Sequence, residues 1–215
     1  MARQLRAEQT RATILGAAAD LFDRHGYEST SLSEIVAHAG VTKGALYFHF
    51  AAKEDLAQAI MEMQFRTFRR LVKDLDGRGY SSLEALMRLT FDMARVYEEG
   101  PVLRAGTRLA TAGVPVRPPL PHPFTEWRET ATSLLLNAVR QSDIHPDIDV
   151  DSVAHTLVSS VVGTCVVGGT IEPAGRQPRR LAEMWYIRIR GMVPVPRRAR
   201  YLTLAALLER ETVTV

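Results

Sequence analysis

The sequence contains a single cysteine, Cys165, among 215 residues, so no disulfide can form within the chain. A chain without disulfides fits a reducing compartment, and we expect a cytoplasmic protein. Cys165 stands in the apolar run 161–167. A buried, inert thiol is favoured there over a redox sensor, because reactivity needs exposure and a cationic neighbour.

Long apolar runs and a strong charge imbalance are also missing. No uninterrupted apolar run reaches about 18 residues and no signal-peptide core opens the chain, so we expect neither a membrane partner nor secretion by that route. The net charge is only +3, and the first 50 residues hold five basic and five acidic side chains. Any nucleic-acid recognition in this region must therefore depend on a few well-placed cations.

Catalytic and metal-binding patterns are absent as well. The six histidines show no metal-ligand spacing, and no Ser-His-Asp order, Cys-His pair or Gly-rich phosphate loop is present. We therefore expect no metal, no cofactor and no enzyme.

Apolar residues recur at helical spacing along most of the chain, with Gly and Pro between the periodic segments. The predicted helices are 7–25, a short one opening at Ser31, a second short one after Thr42, and then 53–75, 81–99, 102–111, 124–141, 150–168, 178–192 and 197–210. Five prolines in 113–123 exclude a helix there. No strand pattern is convincing, so the sequence predicts an all-α fold.

The two short helices, joined by a turn at Gly40, have the layout of a helix-turn-helix. Ala45, Leu46 and Phe50 supply the buried side of the second one. The residues left on or near its outer face are Thr42, Lys43, Gly44, Tyr47 and His49. Lys43 suits a phosphate or guanine contact, Gly44 allows close backbone approach, and the other polar groups suit phosphates. Spacing alone also permits a three-helix bundle that binds nothing.

The segment GYESTSLSEIVAHAGVTKGALYFHF (26–50), followed by KEDL (53–56), resembles the DNA-binding domain of the TetR family of repressors. The resemblance covers about residues 8–58 without gaps. It implies an all-α protein in which three N-terminal helices bind DNA and the remaining helices bind a ligand and form a dimer. It also implies a recognition-helix role for the five residues above and phosphate contacts for Thr30 and Ser31.

The remainder of the chain resembles one branch of that family, the γ-butyrolactone receptors, especially CprB/ArpA-like members. The segment GPVLRAG (100–106), the proline-rich stretch ending at His122-Pro123 and Trp127 carry the resemblance. It implies that Trp127 lines a lactone pocket, although simple core filling is the alternative from the residue pattern. Thr130, Val162 and Cys165 are further candidates for the lining.

Apolar residues cover much of the circumference of helices 150–168 and 178–192, more than one buried face needs, and a second apolar face predicts a partner. We interpret it as half of a four-helix homodimer interface; a central buried helix in a monomer is the alternative. The predicted division is a helix-turn-helix domain, 1–52, and a ligand-binding and dimerisation domain, 53–215. Helix 53–75 would link them.

The predicted function is that of a repressor released from a pseudo-palindromic operator by a small autoregulator such as a γ-butyrolactone, controlling secondary metabolism or differentiation. One or two dimers could occupy each operator. Two alternatives stay open: a pseudo-receptor answering to another ligand, such as an antibiotic or a butenolide, and a lactone-processing enzyme. A DNA-binding protein without any ligand is a third.

Overall fold

The structure, a computed structural model, describes residues 2–116, 119–171 and 175–213. These residues form helices and no strand, which confirms the predicted all-α class. The helices are α1 (Ala2–His25), α2 (Leu32–Ala39), α3 (Lys43–His49), α4 (Lys53–Leu75), α5 (Ser82–Glu99), α6 (Pro101–Thr111), α7 (Pro123–Arg140), α8 (Val150–Ile171), α9 (Gln177–Met192) and α10 (Val195–Val213).

Local side-chain hydrogen bonds set the ends of the two short helices. The Ser31 hydroxyl accepts from the Glu34 N–H while the Glu34 carboxylate accepts from the Ser31 N–H, a complete capping box at the start of α2. Gly40 ends α2 with φ 63°, a left-handed conformation that glycine adopts without a steric penalty. Thr42 caps α3 by accepting from the Ala45 N–H at 3.1 Å. These caps fix where the predicted helix-turn-helix begins and turns.

The chain packs as two compact units that do not follow chain order. The first contains everything up to Thr67 together with Glu99–Pro123, and the second contains Phe68–Glu98 and the chain from Phe124 onward. The chain passes from the first unit to the second within α4. These units concern packing, and a functional division between residues 52 and 53 stays a prediction.

The core of the first unit forms around α1. Ile14, Ala18 and Phe22 lie on its buried face, and they cluster with Ile35 of α2 and Leu46 of α3. Full burial of a large apolar side chain contributes about 1.5–3 kcal/mol, so this cluster holds the two short helices against α1. The buried side of α3 thereby holds the helix in place, and its opposite side stays available to solvent.

Helix α6 belongs to the same unit and is joined to α1 and α4 by polar contacts. Arg104 of α6 forms an ion pair with Asp23 of α1 at 2.6 Å. Gln64 of α4 is fully buried and donates to the Thr107 hydroxyl at 3.2 Å. A Cβ on Gly106 would lie 2.7 Å from the Gln64 side-chain oxygen, so a larger residue at this crossing of α4 and α6 would displace the Gln64 side chain.

The second unit is built on a separate core to which α5, α7, α8, α9 and α10 contribute. Trp185 of α9 is fully buried, and its indole N–H donates to the Thr90 hydroxyl of α5 at 2.9 Å. Tyr201 of α10 is also fully buried, with its hydroxyl 3.0 Å from that of Ser81. Burial raises the pKa of Tyr201 to about 12.

Helix α8 buries only one stripe within its unit, which includes Leu157, Val161 and Cys165. Val167 and Ile171 remain 51% and 73% exposed. By length and composition alone, Val150–Gly168 is apolar enough to cross a membrane, although core helices of soluble proteins pass the same test. Asp151, His155 and scattered Ser and Thr residues interrupt this segment, so it contains no uninterrupted apolar run of about 18 residues.

Candidate DNA-binding surface and ligand site

The outer face of α3 presents the polar residues that the sequence predicts there. Thr42, Lys43 and Gly44 are exposed at its start, Tyr47 is 48% exposed and His49 is partly exposed near its end. Lys43 has no carboxylate partner among the described residues. The face therefore offers a cation, hydroxyl donors and an approachable backbone to a partner with acceptor atoms.

Phe48 is the residue of this face that the sequence analysis missed. Its side chain is 79% exposed, and its ring meets that of His49 edge-on at 5.0 Å. Its position could have been found from the core pattern, because helical spacing that turns Leu46 and Phe50 inward leaves Phe48 outside. An exposed aromatic ring among hydrogen-bond donors can contact an apolar group such as a thymine methyl.

The residues at the start of α2 divide into one exposed and one buried. Ser31 is exposed, while Thr30 is only 1% exposed and its hydroxyl donates to the Gly26 carbonyl at 2.8 Å. The Thr30 hydroxyl is thus already bonded within the chain. The predicted phosphate contacts of Thr30 and Ser31 stay predictions.

Lys53, at the start of α4, joins that helix to the loop before α2. Its ammonium donates to the carbonyls of Tyr27 at 2.9 Å and Thr30 at 3.1 Å, and it lies 4.2 Å from the Tyr27 ring centroid. Burial raises the pKa of Tyr27 to about 12, with a further contribution from Glu54. Because these bonds tie Lys53 to the loop that leads into α2, a movement of the start of α4 would displace that loop.

Trp127 lies in an aromatic cluster on α7. It is 7% exposed, and its ring centroid lies 5.6 Å from that of Phe68 and 5.1 Å from that of Phe124. Its indole N–H is buried and has no hydrogen-bond partner among the described residues. Trp185, the other tryptophan, donates its N–H to Thr90. Since buried donors are nearly always bonded, the unmatched N–H of Trp127 indicates a site for an acceptor atom.

The other three predicted lining residues lie in different surroundings. Thr130 lines an open groove of about 550 Å³ beside the α4–α5 turn, together with Leu75, Tyr80 and Leu134 among others. Val162 is partly buried on α8. Cys165 is 5% exposed, and burial raises the pKa of its thiol to about 12, which confirms a buried thiol. A shared lining by Trp127, Thr130, Val162 and Cys165 stays a prediction.

Comparison with known families covers both parts of the chain. Residues 14–60 match "Bacterial regulatory proteins, tetR family", and residues 80–194 match "Tetracyclin repressor-like, C-terminal domain". The chain belongs to the TetR family. This confirms the family predicted from the sequence and places the protein among transcriptional regulators rather than enzymes. DNA-binding TetR regulators of this soluble kind are cytoplasmic.

Individual relatives of this TetR-family chain support the predicted branch. It is 38% identical over 185 residues to the A-factor receptor protein of Streptomyces griseus, an alignment that covers 86% of this chain and 64% of that protein. The chain thus spans slightly under two thirds of that relative's length. It is 82% identical to a γ-butyrolactone receptor described as ArpA-like, with a TM-score of 0.89 and coverage of 96% and 99% of the two chains.

A third relative was solved with DNA. CprB from Streptomyces coelicolor, in complex with its biological operator sequence, is 83% identical to this TetR-family chain, with a TM-score of 0.89. The alignment covers 95% of this chain and 98% of CprB. A chain similar to this one over nearly its whole length thus binds operator DNA.

Proposed function

We propose that this protein is a homodimeric transcriptional repressor that binds a pseudo-palindromic operator and is released by a small autoregulator of the γ-butyrolactone class. The genes under its control would serve secondary metabolism or differentiation. The observation that carries the proposal is the exposed polar face of α3, held on a buried core, in a chain similar to receptors with this chemistry.

DNA recognition follows from the chemistry of α3. Each recognition helix enters a major groove, where Lys43 donates to a guanine edge or a phosphate. Tyr47 and His49 donate to phosphates, while Gly44 lets the backbone come close to them. Successive major grooves on one side of a duplex lie about 34 Å apart, so two such helices need a dimer. A protein bound to operators in this way is associated with the nucleoid.

The dimer is supported by apolar surface on α8 and α9. Val166, Val167 and Ile171 of α8 and Ile187 of α9 are 38%, 51%, 73% and 73% exposed. Exposed apolar patches of this kind mark interfaces in proteins that stay soluble. A second copy presenting the same helices covers them with a four-helix interface.

The ligand site is the Trp127 cluster. Aromatic rings from α4 and α7, tilted to one another, provide apolar contacts for a lactone ring and its alkyl chain. The indole N–H of Trp127 has no acceptor among the described residues, and it donates a hydrogen bond to the carbonyl oxygen of the lactone.

Release requires two conformations with different affinities for DNA. The ligand must bind the conformation with weak DNA affinity more tightly, because a ligand that binds both equally shifts nothing. Helix α4 is continuous from Lys53 to Leu75, and Lys53 is bonded to the loop before α2. We infer that α4 is the helix through which ligand binding changes the position of the recognition helices.

The test is fluorescence-anisotropy binding to a duplex selected by the protein from a random-sequence pool, repeated with a panel of γ-butyrolactones. Replacing Lys43 by Ala should weaken binding about fivefold or more, the value of one good base contact. Lys73→Ala is the matched control, since Lys73 is an exposed lysine of α4. Unchanged affinity of Lys43→Ala at moderate salt would remove the recognition-helix assignment.

The lactone arm of the same experiment separates the remaining alternatives. Release of the duplex by a lactone supports the receptor, and turnover of the lactone on incubation would support a processing enzyme instead. Tight binding that no lactone disturbs would move the protein to the pseudo-receptors, with an antibiotic or butenolide panel as the next step. Stoichiometric titration of the duplex distinguishes one dimer from two.

A further inference from the structure

The charge balance of the first 50 residues changes once the ion pairs are counted. Four of the five acidic side chains there are bonded within the chain: Glu8 to Gln4, Asp20 to Arg24 and His38, Asp23 to Arg104, and Glu34 to Ser31. In contrast Arg6, Arg11 and Lys43 are exposed and have no carboxylate partner among the described residues. Arg104 lies outside the first 50 residues, so counting it with its partner Asp23 shifts the net charge of this region from zero to +1.

Two of these cations lie on a part of α1 that the core does not use. The buried face of α1 begins at Ile14, whereas most side chains from residue 4 to residue 13 are exposed. Residues 2–13 add about 18 Å of helix ahead of the core, at 1.5 Å per residue. This part of α1 buries little apolar surface and therefore contributes little to the core of the first unit.

Arg11 lies beside the recognition helix. Its guanidinium carbon is 5.1 Å from the ring centroid of Phe50, which is the C-cap of α3 and only 3% exposed. Stacking on a fixed ring orients the guanidinium while its edge stays free to donate. Lys43 stands at the other end of α3, seven residues or about 10 Å away, which is close to the major-groove width of about 12 Å.

We propose that Arg11 binds a DNA phosphate at the edge of the major groove that α3 enters, making the N-terminal part of α1 a second DNA contact. The inference rests on the proposed DNA-binding function. DNA is the occupant because Arg11 lies at the C-terminal end of α3, the predicted recognition helix, and is opposite in charge to the phosphate backbone. Arg6 lies about 7.5 Å from Arg11 along α1, within the Debye length of about 8 Å at physiological salt. Its positive charge adds to that of Arg11, whereas the negative charge of Glu8 opposes both.

The measurement is the salt dependence of affinity for a duplex selected by the wild-type protein, between 50 and 200 mM salt. Each phosphate contact adds about 0.9 to the slope of log K against log salt, so two Arg11 side chains in a dimer add about 1.8. Over this fourfold range the wild-type protein should then lose about 12-fold more affinity than Arg11→Gln. Arg11→Lys, which keeps the charge, should restore most of the slope.

Arg24→Gln is the matched control. Arg24 is another exposed arginine of α1, but it lies about 20 Å further along the helix and is paired with Asp20. A wild-type slope in Arg11→Gln, or an equal change in Arg24→Gln, would overturn the proposal. So would a lower melting temperature and a weaker affinity at every salt concentration with no change of slope, since that pattern means Arg11 only covers Phe50. Failure of the wild-type protein to select any duplex would overturn the proposed function itself, and this inference with it.

Discussion

Replacing Trp127 by Phe tests whether the unmatched indole N–H belongs to the ligand site. The substitution keeps an aromatic ring beside Phe68 and Phe124 and removes the buried donor. An unsatisfied buried N–H costs about 1–3 kcal/mol in the free protein. The smaller ring buries roughly 40 Å² less, a loss of about 1 kcal/mol at about 25 cal/mol per Å². The free energy of unfolding should therefore stay level or rise by up to about 2 kcal/mol.

Ligand affinity should move in the opposite direction. A hydrogen bond from the indole to a lactone carbonyl contributes about 0.5–1.5 kcal/mol net, so the Trp127→Phe protein should bind about two- to thirteenfold more weakly. Calorimetric titration with the lactone that releases DNA measures this change. The matched tetrahydrofuran analogue lacks the carbonyl, and both proteins should bind it equally.

The pair of ligands makes the result decisive. If Trp127→Phe becomes more stable and still binds the lactone as tightly as the wild-type protein, the N–H does not face the ligand. An equal loss of affinity for both ligands would instead assign the effect to the shape of the ring. Only a loss confined to the carbonyl-bearing ligand agrees with a donor role.

Three further predictions concern stability and DNA affinity. Gly106→Ala should lower the free energy of unfolding by about 1–3 kcal/mol in chemical denaturation because the new methyl collides with Gln64, whereas Gly16→Ala, with open space around it, should raise it by about 0.5–1 kcal/mol. The pKa of Tyr201 is raised above its unfolded value, so its contribution to the free energy of unfolding is complete below about pH 10 and is lost toward pH 12. Melting temperatures measured from pH 8 to 11 should therefore fall less in Tyr201→Phe than in the wild-type protein. Phe48→Ala should weaken binding to the selected duplex, measured by anisotropy, without changing the slope of log K against log salt. An unaltered affinity would show that the Phe48 ring does not contact DNA.

The local structure of the DNA-binding part was readable from the sequence because local chemistry determines it. The capping box of Ser31 and Glu34, the break at Gly40 and the cap at Thr42 each involve residues three or four positions apart. Helix ends were less accurate. The helix predicted from residue 7 begins at Ala2, because an exposed extension has no apolar periodicity to reveal it.

The features that the sequence did not reveal depend on contacts between distant segments. Lys53 bonds to carbonyls 23 and 26 residues away, and no spacing rule indicates that partnership. The helical pattern treats Trp127 and Trp185 alike, and only the positions of their neighbours separate a bonded indole from an unmatched one. The net charge of the first 50 residues likewise counts as zero in the sequence, because the sequence does not show that Asp23 forms an ion pair with Arg104.

The exposed apolar residues of α8 make the stability of each protomer depend on the concentration of the protein. A protomer alone would leave Val167 and Ile171 in water, so association adds to its stability by burying them. Its melting temperature should then rise with protein concentration. In a cell, newly made chains would be vulnerable to proteolysis until they pair.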